Sequence, residues 1–174
     1  MTNHLNRRRF LAISGACLIA QPAMAQTHRW SGIALGAEAE VTIHGPKDIA
    51  APALSQIQNL LQLAEAQFSL FDPDSALSNL NRSGTLTNPA PVFQQLLSAV
   101  DPIHNATNGL FDPTVQPLWQ ALAEGKDPAE AEALIGWRDV KHGTNQITLR
   151  HGQALTLNGI AQGFATDLVT AALR

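Results

Sequence analysis

Between Leu155 and Asp167 an alternating apolar run, Leu155-Thr156-Leu157, breaks at Asn158-Gly159 and resumes with helical spacing through Gly163. A glycine turn between strand and helix lets a phosphate or a metal-bound oxygen approach bare backbone. The free N–H groups of the new helix then favour negative charge. The stretch is an anion site in outline, although the same pattern also serves as plain punctuation. Two other groups are placed where chemistry is possible. Phe71 stands on a loop between two helical patterns, as a core plug or as an aromatic face for a flat ligand. Asp112 precedes Pro113, so its backbone is pushed extended and its carboxylate can cap the helix that the proline begins. Other chemistries are absent: there is no Walker loop, no G-x-S-x-G elbow and no cysteine after Cys17. His104, His142 and His151 lack H-x-x-x-H spacing, and the five histidines beyond residue 25 read as surface residues.

Elements with clear periodicity must position these groups. From Trp30 to His44, residues Ile33, Leu35, Ala37, Ala39, Val41 and Ile43 alternate with polar or small ones, as in a half-buried strand. Gly36 falls mid-strand, at a bulge or a close approach, and Gly45-Pro46 ends the run. Residues 50–68 place Leu54, Ile57, Leu60, Leu61, Ala64 and Phe68 at three- and four-residue steps, an amphipathic helix packed on a sheet. Pro73 blocks its continuation, and Asp74 or Ser75 caps a short helix holding Leu77 and Leu80. Pro91 opens a helix with Val92, Leu96, Leu97, Val100 and Ile103 on one side, closed by a left-handed Asn108 or Gly109. Residues 127–135 read as a short helix capped by Asp127. Arg138–Lys141 and Gln146–Arg150 read as a hairpin across Gly143-Thr144-Asn145, and Ala154–Leu157 as a strand. The last helix carries Ile160, Phe164, Leu168 and Ala172 in register and is still running at Arg174, as in a truncated product.

Residues 1–25 are of another kind. Arg7-Arg8-Arg9 precedes an apolar run from Phe10 to Ala20, and Ala23-Met24-Ala25 has the small-x-small form of a signal-peptidase site. Arg7-Arg8-Arg9-Phe10-Leu11 fits the twin-arginine pattern, so a folded protein exported to the periplasm is expected, with the mature chain starting near Gln26. The run is too short for a membrane span, which disfavours an uncleaved anchor. Ser14 stands where a lipoprotein needs an aliphatic residue, which disfavours a lipid anchor at Cys17. Losing three arginines from 11 basic residues leaves 8 against 14 acidic ones, a formal charge of −6. Nucleic acid is thereby excluded as a partner, because phosphate binding needs clustered Lys and Arg. With 45% hydrophobic residues, the 174-residue chain supports one core, a single domain or part of one.

Three blocks in order and at compatible spacing, Phe68 to Asn81, Asn108 to Leu118 and Leu157 to Asp167, resemble the ApbE family of FAD:protein FMN transferases. A shorter block, Ala34-Leu35-Gly36-Ala37, stands where the family has its N-terminal M-G-T, and the leader with Gly32–Ala37 is similar to the NosX-type branch. The resemblance implies an α+β fold, an antiparallel sheet with packed helices (ApbE-like, T-fold-like). Residues 26–174 would be the N-terminal part of the transferase domain. It also implies a Mg²⁺-dependent reaction in which FAD is the substrate, FMN passes to a Thr or Ser hydroxyl, and AMP leaves. The partner is then a flavin-acceptor protein, exported or membrane-attached, such as a membrane-bound respiratory or regulatory subunit. Carried over by position, the cofactor contacts are Leu35, Gly36, Ala37, Phe71, Leu110, Phe111, Asp112, Thr156 and Gln162, and the metal ligand is the main-chain carbonyl of Gly159. No catalytic residue is assigned.

Departures keep two alternatives open. Phe71 replaces the usual tyrosine, Gln162 a lysine or glutamate, Thr156 an aspartate and Asn158 a small residue, so two charges near the pyrophosphate are lost. A flavin-binding protein without transferase activity, or an FAD pyrophosphatase, would fit that loss. Family members run to roughly twice the length of the mature chain, and their further metal ligands fall in the second half. Taken alone, residues 26–174 are expected to bind FAD weakly, to show no Mg²⁺-dependent AMP release, and to aggregate or be partly molten. The stability deficit comes from Ile160, Phe164 and Leu168, each costing about 1.5–3 kcal/mol if left uncovered. A turnover assay checks this, and measurable FMN transfer by those residues alone would overturn it.

Overall fold

The computed structural model describes residues 12–13 and 26–174. The leader reading, with its twin arginines, its cleavage site and Cys17, lies outside them. Two residues, Ala12–Ile13 (β1), pair in parallel with Glu40 and Val41. The described residues form two compact units, one of those up to Glu65 with Gln162–Arg174, the other Ala66–Ala161.

In the first unit the alternating run from Trp30 to His44 is not one strand. Thr27–Ala34 (β2) and Ala37–His44 (β3) form an antiparallel hairpin with Ala34 opposite Ala37 and Trp30 opposite Val41. Leu35 and Gly36 make the turn at φ 52° and 75°, both positive as a two-residue type I′ hairpin turn requires. Gly36 is therefore a turn glycine, where a bulge or close approach was expected. A two-residue turn also changes which parity faces inward: even positions of β2 pair with odd positions of β3. Ile33, expected on the buried face, is consequently 78% exposed. Lys47–Phe68 (α1) and Ala161–Ala172 (α6) supply the covering layer, and Ala34, Ala39, Val41, Ile57, Leu61 and Val169 form one core. On α6 the buried residues are Ala161, Ala165 and Val169, one step from the expected Ile160, Phe164 and Leu168, which are half-buried.

The second unit strings together Ala76–Ser83 (α2), Thr85–Thr87 (β4), Pro91–Ala106 (α3), a 3₁₀ turn at Pro113–Val115, Gln116–Ala123 (α4) and Ala129–Glu132 (α5). A second 3₁₀ turn, Trp137–Asp139, then leads into Lys141–His142 (β5) and Gln146–Thr148 (β6). β4, β6 and β5 form a three-stranded antiparallel sheet with β6 central. The hairpin across Gly143-Thr144-Asn145 is present but short. Arg138 belongs to the 3₁₀ turn rather than to a strand, and β4 had no periodic signal in its three residues. The helix expected over 127–135 is regular only over α5, although Asp127 does accept the N–H of Ala129 (3.0 Å). Phe68 and Phe93 meet with ring centroids 5.7 Å apart, among buried Leu77, Leu80, Leu96, Leu97 and Val100.

Ala154–Leu157, expected as a strand, has no strand partner among the described residues. Its alternation is real, since Leu155 and Leu157 are fully buried, but its peptide groups are met by other means. Asn81 accepts the Leu155 N–H and donates to the Leu155 carbonyl, both at 2.8 Å, and the Thr156 N–H donates to the Pro113 carbonyl (2.8 Å). One amide side chain thus stands in for a neighbouring strand. Replacing it by leucine leaves a buried donor and a buried acceptor unpaired, at about 1–3 kcal/mol each. Asn81→Leu is expected to lower the unfolding free energy by that combined amount, read from the midpoint and slope of a urea titration.

Candidate functional site

Each of the three blocks folds into a turn whose polar residues hold the backbone and whose apolar residue is left facing out or against a glycine. In the first block Ser69 is buried, and its Oγ accepts the N–H groups of Phe71 (3.1 Å) and Asp72 (3.2 Å). Its carbonyl accepts the hydroxyls of Ser75 (2.6 Å) and Ser78 (3.2 Å). Ser75 is the N-cap of α2, accepting the Ser78 N–H at 3.0 Å, and Asp74 is not the cap. With the loop fixed by three serines, Phe71 is held 70% exposed. The core-plug alternative is therefore excluded.

In the second block α3 ends at Thr107, and Asn108 and Gly109 follow with φ 52° and 83°. Both residues offered for the cap take the left-handed conformation. Leu110 is 92% exposed. Asp112 does cap: its Oδ1 accepts the N–H (2.8 Å) and hydroxyl (2.5 Å) of Thr114, while Oδ2 accepts the N–H of Trp137 (3.0 Å). Thr114 Oγ1 in turn accepts the Gly136 N–H at 2.7 Å. Both carboxylate oxygens are committed inside the protein, and Asp112 is buried. What it supplies is the shape of the loop rather than a free charge.

His104 was expected at the surface and is buried instead, only 6% exposed. Its Nδ1 lies 2.9 Å from the Phe111 carbonyl. A carbonyl can only accept, so Nδ1 carries the hydrogen. The residue was missed because a lone histidine in a helix carries no spacing signal. Its position seven residues before Phe111, across a left-handed cap that turns the chain back, is the one clue available.

In the third block Asn158 and Gly159 are exposed, and the Ile160 and Ala161 N–H groups return to the Leu157 carbonyl (2.9 and 2.7 Å). A Cβ on Gly159 would sit 3.1 Å from Cε2 of Phe111, so the bare backbone lets the ring close on the turn without the shift of a few tenths of an ångström that a side chain would require. The second unit therefore brings Phe111, Gly159 and, through its bond to Pro113, Thr156 to one place. Phe71, Leu110 and Asp112 belong to the same unit. The first unit holds the other group: Leu35, buried at the hairpin turn, lines a small cavity with Ala34, Ala39, Leu61, Gln162, Ala165 and Thr166. The Leu35 N–H donates to Glu65 Oε2 at 2.5 Å, a partner with no sequence signal. Gly36 and Ala37 complete that turn. Among the described residues no group of three or more His, Cys, Asp or Glu gathers as a metal site.

Asp112→Asn tests the cage. An amide has one accepting oxygen where the carboxylate has two, so the Trp137 N–H or the Thr114 pair loses its acceptor, at about 1–3 kcal/mol. A lowered thermal midpoint with altered emission from Trp137 is expected.

No curated protein sequence matches the chain. Among solved structures it is similar to flavin transferase ApbE from Vibrio cholerae, with 21% identity and TM-score 0.72, covering 86% of this chain and 53% of that one. It is also similar to the flavinyl transferase ApbE from Pseudomonas stutzeri in its apo form, with 19% identity and TM-score 0.71, covering 88% and 55%. The ApbE protein from Thermotoga maritima is a third, with 20% identity and TM-score 0.71, covering 85% and 53%. The chain thus spans a little over half the length of the solved structures that it matches, and shares their α+β fold. The model of the ApbE family matches residues 35–174, and the chain belongs to that family.

Proposed function

We propose that this protein is an FAD:protein FMN transferase, moving FMN from FAD to a Thr or Ser hydroxyl of an acceptor protein and releasing AMP. The observation that carries it is the family match over residues 35–174. The likeness to two proteins described as flavin and flavinyl transferases supports it. The twin-arginine leader and the resemblance to the NosX-type branch favour work in the periplasm, on a membrane-bound respiratory or regulatory subunit.

FAD enters as substrate. The acceptor oxygen bonds to the phosphorus on the FMN side, the bridging P–O bond breaks, AMP leaves with the electron pair, and the hydroxyl proton is lost. Such a transfer depends on positioning and on charge neutralisation more than on covalent help from the protein. Phe71, held out by the serine-bonded loop, offers a ring face for stacking on the cofactor. Leu110 and Phe111 present an apolar face on a loop that Asp112 keeps rigid, and the Leu35-Gly36-Ala37 turn gives close backbone approach. Thr156 and Gln162 stand in the family's cofactor-contacting positions without its charges.

The resemblance further implies Mg²⁺, and we propose dependence on it. The residues of this chain do not by themselves fit the ion. The Gly159 carbonyl is one neutral oxygen, whereas Mg²⁺ demands octahedral oxygen coordination with carboxylates in it.

Incubation with FAD, Mg²⁺ and an acceptor domain is expected to add the mass of one FMN to that domain and to release AMP. AMP with free FMN and no acceptor would point instead to an FAD pyrophosphatase. FAD binding without AMP would point to a binding protein, the reading that the missing charges at Thr156 and Gln162 favour. Phe71→Ala separates site from fold: an exposed side chain off the core should change stability by no more than about 0.5 kcal/mol. FAD affinity is expected to fall roughly tenfold, within the range for loss of one aromatic stack. Fluorescence titration beside thermal melting reads both.

A further inference from the structure

We propose that His104 is a positioning residue, which sets the direction in which Leu110 and Phe111 face the flavin nucleotide. The inference rests on the flavin reading above.

The loop from Thr107 to Phe111 turns back on the last turn of α3, and two residues of that turn receive its peptide groups. The Gly109 N–H donates to the His104 carbonyl (2.8 Å) and the Leu110 N–H to the Thr107 carbonyl (3.1 Å). The Phe111 N–H donates to Thr107 Oγ1 (3.0 Å), and the Phe111 carbonyl accepts from His104 Nδ1 (2.9 Å). Phe111 is thus pinned on both sides of its Cα. The Thr107 bonds hold the loop at its N–H side, and among the described residues His104 supplies the donor that orients the following peptide. The imidazole also lies along the loop, since a Cβ on Gly109 would be 3.6 Å from its Cε1.

Two consequences follow for the face presented. Leu110 is 92% exposed, held in water by a loop whose N–H groups are all bonded and which cannot rotate it inward without breaking those bonds. The Phe111 ring closes on Gly159, so tilting the 111–112 peptide moves the ring that lies on the turn of the third block. His104 at the same time supplies no hydrogen bond to the cage that fixes the fold here. Its Nδ1 is 3.9 Å from Asp112 Oδ2, beyond hydrogen-bond range, and Asp112 is already occupied by Thr114 and Trp137. Removing the imidazole donor therefore frees the loop without dismantling what lies after it.

The test compares His104→Asn with His104→Leu in the intact protein. The asparagine Nδ2 falls where the histidine Nδ1 lies and keeps a donor for the Phe111 carbonyl. Leucine keeps bulk and removes the donor. FAD affinity is read by flavin fluorescence, and amide hydrogen exchange by mass spectrometry over residues 107–112 and 158–160. The leucine variant is expected to bind FAD about tenfold more weakly, the scale of an orphaned buried carbonyl, and to exchange faster in both segments. The asparagine variant is expected to stay within about threefold of the wild type. Wild-type affinity in the leucine variant, or equal losses in both variants, overturns the proposal. A wild-type protein that fails to bind FAD overturns the flavin reading instead, and the exchange rates then decide alone whether His104 orients the loop.

Discussion

A buried carboxylate with three internal donors organises the larger part of this fold. Asp112 takes the N–H and O–H of Thr114 and the N–H of Trp137 at 2.5–3.0 Å. Charge-assisted bonds of that length are about twice as strong as neutral ones, and a buried carboxylate left without them would be very costly. The chain leaving α3 is consequently tied to a segment 25 residues further on. Trp137 is fixed at a second point as well, since its Nε1 donates to Asp101 Oδ1 at 2.8 Å and its ring stacks on His142. Asp101 lies on α3 and His142 on β5, so one carboxylate and one indole connect the helix, the loop and the sheet edge.

The same economy explains the composition of the three blocks. Serines at 69, 75 and 78 and the asparagine at 81 are internal acceptors and donors, and none of their hydroxyls or amides needs a ligand to be satisfied. Local side-chain bonds of this type compete with regular structure and so stabilise irregular backbone where a helix or strand would be wrong. Polar residues in the blocks build the frame, and the residues that take no part in it are apolar or bare: Phe71, Leu110, Phe111 and Gly159. A flat, largely apolar ring system bearing a charged phosphate tail suits that division. Under the proposed function the ring would be met by Phe71 and Leu110, and the tail by backbone at glycine turns, which carries no side chain to repel it.

The departures from the family pattern fall on that frame unevenly. Phe71 in place of tyrosine keeps the exposed ring, and its loop is set by Ser69 whichever aromatic it carries. Thr156 in place of aspartate leaves the backbone unchanged, because the anchoring bond there is from its N–H to the Pro113 carbonyl. The anchoring bond at Thr156 is thus independent of the charge its side chain carries.

The amino-acid sequence by itself determined the helices, the caps and the family. Leucines at three- and four-residue steps, prolines at the first turn of α3 and before α4, and Ser75 or Asp112 as caps are local signals, and they hold because capping and amphipathic burial act within a few residues. The sites were legible only as motif positions: Phe71, Leu110, Phe111 and Gly159 could be numbered, while their exposure and mutual contact could not. Tertiary structure decided the rest. An alternating run over 30–44 has the same pattern whether it is one strand or two joined at Leu35-Gly36, and only the pairing of Trp30 with Val41 settles it. The Ala154–Leu157 segment has a strand's alternation without a strand's neighbour, because Asn81, 74 residues earlier, takes that place. His104 and Glu65 carried no pattern at all. Each acts on a peptide group brought to it by the fold, Phe111 for one and Leu35 for the other, and a partner of that kind is fixed by distance in space rather than by spacing in the chain.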